Sequence, residues 1–98
     1  MADVDDGFYD RADAHIHLSN DQISGQVTRG KVSASMMYAN ARFSAWVSAT
    51  SRDSSEDMER NREEAIAFFV GQFRLMLEEH YDDYVVNFGR YMGEGAES

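Results

Sequence analysis

The sequence contains no cysteine and no proline. Without cysteine there are no disulfides, no thiolate metal sites and no cysteine nucleophile. Small secreted domains often depend on disulfides, so the absence points toward the cytoplasm. An average chain of this length carries about five prolines. Proline removes an amide donor and clashes inside helices, so its lack leaves room for long ones. Long apolar runs are missing too. The least charged stretch, Val32 to Ser51, holds Arg42, Asn40 and several serines, so it is no membrane span. The N-terminus reads Met1-Ala2-Asp3-Val4-Asp5-Asp6, acidic where a signal peptide needs a positive region followed by an apolar one.

Basic residues are scarce as well. The formal net charge is −9 over 98 residues. Such a surface repels phosphate backbones and anionic lipid, so neither nucleic acid nor membrane is an expected partner. What the chain does have is 43% hydrophobic and 12% aromatic residues. That is enough for a folded domain, and the length suits one domain over 1–98, with 1–4 and 93–98 frayed.

Apolar spacing predicts an all-α fold: a bundle of three long helices (about 6–25, 30–50 and 55–80) and a short C-terminal one (about 83–92). In the first, Phe8, Ala12, Ile16, Ile23 and Val27 follow helical spacing. Asp5 or Asp6 is placed to cap it. Gly25 is placed to close it in the left-handed conformation. Thr28 is the expected cap of the second. There Val32, Met36, Ala39, Phe43, Trp46 and Thr50 alternate steps of four and three, and Arg42 is the only charge between Val32 and Ser51. The opposite side is small: Ala34, Ala41, Ala45 and Ser48. A helix bulky on one side, small on the other and nearly uncharged is expected to be covered on both.

Ser54 with Asp57, or Asp53 with Glu56, makes a capping-box pattern before the third helix. Its wide apolar face runs from Met58 through Ala65, Phe69, Phe73 and Met76 to His80. Phe68 and Leu75 lie seven residues apart, off that face, with Gly71 near them. They join Ala34, Ala41 and Ala45 as candidate interface residues. A bend near Tyr81–Asp83 and a straight continuation both fit the pattern there.

Catalytic chemistry finds little support. His15 and His17 point about 200° apart on a helix and cannot share a metal. Asp13, His17 and Asp21 share a face at four-residue steps, which could offer nitrogen and oxygen to a divalent cation. The plainer reading is a solvated face. His80 is expected at the end of the third helix, where the macrodipole favours a cation. Glu-x-x-His pairs for a di-iron centre are absent, as are a nucleophile elbow, a phosphate-binding loop and a dinucleotide fingerprint. Arg29-Gly30-Lys31 could grip an anion at the start of the second helix, though such residues usually make a turn. No cofactor is expected, and an enzyme is the less favoured reading.

The run Arg29-Gly30-Lys31-Val32-Ser33-Ala34-Ser35-Met36-Met37-Tyr38, with Ala41-Arg42-Phe43, resembles a small bacterial family, domain of unknown function 3144. Phe8-Tyr9-x-Arg11-Ala12-Asp13, Leu77-Glu78-Glu79, Asp82-Asp83-Tyr84 and Asn87-Phe88 resemble it too, so the likeness spans most of 6–92. It implies a bacterial, cytoplasmic helical protein and no particular activity. The leading expectation is thus a non-enzymatic module that self-associates, as a homodimer or larger homo-oligomer, or binds another protein. The alternatives are a metal- or ligand-binding protein, with its site near Asp13, His17 and Asp21 or near His80, and an acidic regulator of a basic partner.

Overall fold

A computed structural model describes residues 4–93. It is all-α, and no strand occurs among the described residues. The order is α1 (Phe8–Gln22), α2 (Arg29–Ala49), α3 (Ser55–Arg60), α4 (Arg62–Val86) and α5 (Phe88–Met92). The chain divides into two units, one ending at Asn61 and one beginning at Arg62. Fraying expected at 1–4 and 93–98 falls, except for Val4 and Gly93, outside the described residues.

The first unit holds α1, α2 and α3. Neither Asp5 nor Asp6 caps α1, contrary to expectation. Gly7 takes the N-cap position with no side-chain bond, and the Asp5 carbonyl accepts from the Phe8 amide at 3.0 Å. The Asp5 carboxylate instead pairs with Arg11 at 2.6 Å. A Cβ on Gly7 would stand 3.0 Å from that guanidinium, so the glycine keeps the pair's space open. The helix stops at Gln22, earlier than predicted. Ile23 is already extended, at ψ 132, which takes Ile23 and Val27 out of the helical stripe. Gly25 is not in the left-handed region. The turn is closed by Ser24, whose Oγ accepts from the Gln26 and Val27 amides at 3.2 and 3.1 Å. The serine hydroxyl thus satisfies two amides of the turn itself, while the Ile23 amide donates to the Asn20 carbonyl at the helix end.

Thr28 caps α2 as predicted, its Oγ1 accepting from the Lys31 amide at 3.2 Å. Ser54 likewise caps α3, accepting from the Asp57 amide at 3.1 Å. The reciprocal half of the box is shifted by one residue, since the Asp57 carboxylate accepts from the amide of Asp53 at 3.0 Å.

The predicted third helix is interrupted. Asn61 leaves helical geometry at φ −101, ψ 9. Its side-chain amide donates to the Asp57 carbonyl at 2.8 Å and to the Asp57 carboxylate at 3.2 Å. The same device recurs in the second unit. Asn87 sits at φ −112, ψ 26, and its amide donates to the Asp83 carboxylate at 2.8 Å and the Asp83 carbonyl at 3.3 Å. In both places an asparagine leaves helical φ/ψ while its side chain and its backbone amide both donate to the carbonyl of the aspartate four residues earlier, the amides at 3.3 Å for Asn61 and 2.9 Å for Asn87. No bend occurs at Tyr81–Asp83, and α4 runs on to Val86. The separate helix expected over 83–92 reduces to α5, and His80 lies inside α4 rather than at its end. Its proposed interaction with a helix terminus therefore falls away.

Burial gives the largest correction. In the first unit α1 and α2 are adjacent, and the Ser19 hydroxyl reaches the Met36 sulfur at 3.9 Å. Yet Val32 is the only buried apolar residue among those described. The expectation that α2 is hidden on both sides does not hold within its own unit: Phe43 and Trp46 are each 61% exposed. Burying one valine contributes about 1.5 kcal/mol. Ordering a single backbone residue costs about as much. The helices of this unit therefore need further apolar cover.

Two predictions follow from the caps and the breaks. Thr28→Ala and Ser54→Ala should each lower unfolding stability by about 1 kcal/mol, read by denaturant titration. Asn87→Ala should let the helix run unbroken into α5, seen as helical Cα chemical shifts at residue 87.

Candidate interaction surface

The widest apolar display of the first unit lies along α2. Met36 (38% exposed), Phe43, Trp46 and Val47 (40%) stand out from it. The Phe43 and Trp46 rings are stacked obliquely, with centroids 5.4 Å apart and planes at 40°. The helix end beneath them is tied down by the Thr50 hydroxyl, which donates to the Val47 carbonyl at 2.6 Å. An exposed, pre-packed aromatic pair with an indole donor is the chemistry that anchors protein interfaces.

Met36, Phe43 and Trp46 belong to the stripe expected to be covered, and the structure leaves them exposed. The alternating four-and-three spacing was the available signal, since that rhythm marks a seam between helices as well as a buried face. Ala34, Ala41 and Ala45 are exposed on α2 as well, whereas Ser44 and Ser48 are half-buried.

In the second unit, Phe68 is 51% and Leu75 61% exposed on α4, and Phe68 packs edge-on against Phe69 at 5.3 Å. A Cβ at Gly71, between them, would meet nothing within 4 Å. At the far end, Asp83 gathers several groups. It accepts from Asn87, and from the Tyr91 hydroxyl at 3.0 Å. The Tyr84 and Tyr91 rings lie 4.9 Å apart, with Arg90 5.7 Å from the Tyr91 centroid. These contacts tie α5 to the last turns of α4.

Asp13, His17 and Asp21 all lie on α1, the outer two about 12 Å apart along its axis. No group of three or more metal-ligating side chains gathers among the described residues. Arg29 and Lys31 occupy the exposed first turn of α2, where the Thr28 cap serves the Lys31 amide.

Two ionisable groups are perturbed by local bonds. The hydrogen bond from Arg11 holds the Asp5 carboxyl below its usual value, and the same pair raises Arg11. The contribution of this pair is present above the unfolded-state value and lost as pH falls through the folded one. The hydrogen bond to Asp83 raises the Tyr91 phenol. Its contribution is present below the ordinary phenol range and lost as pH rises through the folded value.

A cysteine-free chain that is all-α among the described residues, with apolar side chains displayed on its helices, defines a small helical protein. The profile of the family described as "Protein of unknown function (DUF3144)" matches residues 8–85, and the chain belongs to that family. Its fold is similar to the NMR structure of the protein NB7890A from Shewanella sp, at 35% identity and a TM-score of 0.77, covering 90% of this chain and 93% of that one. No curated protein matches. No helix among the described residues is long and apolar enough to cross a membrane.

In an ultraviolet titration Tyr91 should ionise at higher pH than the other tyrosines. Asp83→Asn should bring it back among them, since the amide carries no charge to hold the phenolic proton.

Proposed function

We propose that this protein is a non-enzymatic, cytoplasmic bacterial module that works by self-association, with α2 as the contact surface. The observation that carries the reading is the Phe43–Trp46 pair, which the first unit leaves 61% exposed at both residues. Apolar patches of this kind on a small protein mark interaction sites.

Charge favours a second copy over a foreign partner. The chain carries −9 overall, and like-charged copies repel. From Arg29 to Ala49, however, α2 contains no aspartate or glutamate. It carries Arg29, Lys31 and Arg42 instead, so no carboxylates oppose one another where two copies meet along it. A basic partner, by contrast, would be drawn to the acidic α1, α3 and α4. Assembly would complete the helical bundle that the first unit only begins. Phe68 and Leu75 on α4 offer a second, smaller apolar surface for the same purpose.

Trp46 is the only tryptophan, so its fluorescence reports on this surface directly. With rising protein concentration its emission should move to shorter wavelength. Light scattering should show a mass near twice the 11.1 kDa of one chain. A constant emission maximum with a strict monomer at high concentration would overturn the proposal.

A further inference from the structure

We infer that two copies pair through α2 in antiparallel fashion, about a two-fold axis near Ala41; this rests on the self-association proposed above. The exposed stripe Met36, Ala39, Phe43, Trp46 has steps of three, four and three; Val32, on the same side, is already buried within its own unit. That order is the same read from either end. A two-fold contact must be self-complementary, each position meeting its symmetry mate's counterpart. An antiparallel copy centred on residue 41 meets the condition from Met36 to Trp46. Met36 then faces Trp46 of the second copy, and Ala39 faces Phe43 of the second copy.

Side-chain size selects this arrangement over a parallel one. Antiparallel pairing sets the large Phe43 ring against the small Ala39, as interdigitating seams require. Parallel pairing at the same register sets Phe43 on Phe43, Trp46 on Trp46 and Ala39 on Ala39. That gives crowding at one level and a void at another. The average repeat of three and a half residues is the one that keeps a seam facing its partner.

The charges agree. Arg29 and Lys31 stand in the first turn of α2, where the helix dipole already places partial positive charge. Nothing acidic lies in that turn. In a parallel pair these cations would sit side by side. In the antiparallel pair they lie at the end where the second copy leaves its α2 and runs on to Asp53 and Glu56; Asp57 is already engaged by Arg60 and Asn61. Arg52 also lies in that segment, but it is half-buried, with its Nε shielded from solvent. The two-fold axis makes the acid–base contact twice. Each α1 stays beside its own α2, held at Ser19 and Met36, so that two hairpins form a four-helix bundle.

The absence of cysteine makes the geometry directly testable by cross-linking the full-length chain. Ala39→Cys and Phe43→Cys variants are prepared separately, mixed and air-oxidised. The expected result is a disulfide-linked dimer between A39C and F43C chains, formed at least tenfold faster than either variant links to itself. Rapid self-linking of A39C alone overturns the antiparallel geometry in favour of a parallel one. A dimer by light scattering that links in none of these mixtures overturns α2 as the seam while leaving self-association intact. A monomer removes both. Because F43C also trims the anchor, Trp46→Glu serves as a second variant. It should weaken the dimer by about tenfold or more while circular dichroism stays helical.

Discussion

A helix becomes stable in water mainly by hiding one of its faces, because the hydrogen bonds along its backbone gain little over those made to solvent. Every other feature of this protein depends on that requirement. Its first unit makes well-capped helices and closes the turn between them, yet buries a single valine. Caps fix where helices begin, and they contribute about 1 kcal/mol each. They cannot substitute for an apolar interior. The Phe43 and Trp46 rings are left exposed by their own unit.

The acidic composition narrows the choice further. Net charge sets who can approach, and where, more than it sets the fold. Here the acidic residues are withheld from α2 and concentrated on α1, α3 and α4. The row of Asp13, His17 and Asp21 stays strung along one helix, and His80 lies within another.

The helix ends show how far local rules reach. Thr28 and Ser54 do in the structure what their positions in the sequence suggest, because a cap is a contact between residues two or three apart. Asp5 was a plausible cap by the same rule, but Arg11, six residues on, captured its carboxylate. Asn61 and Asn87 were harder to read. Each interrupts a stretch whose apolar spacing is continuously helical, and each bonds its side chain to an aspartate four residues earlier. Apolar periodicity carries no information about such side-chain bonds. The pairing of Asp57 with Asn61 and of Asp83 with Asn87 was nonetheless visible as a repeated spacing.

The sequence by itself determined the all-α class, the caps of α2 and α3, the exclusion of disulfide and thiolate chemistry, and the family. These depend on residue type and short spacing. Tertiary structure alone decided which apolar stripe is hidden. The stripe on α2 has the same rhythm whether it faces a core or a partner, because periodicity records that a face needs cover and not what covers it. Only the placement of Phe43 and Trp46 in space showed that the rest of their own unit leaves them in solvent.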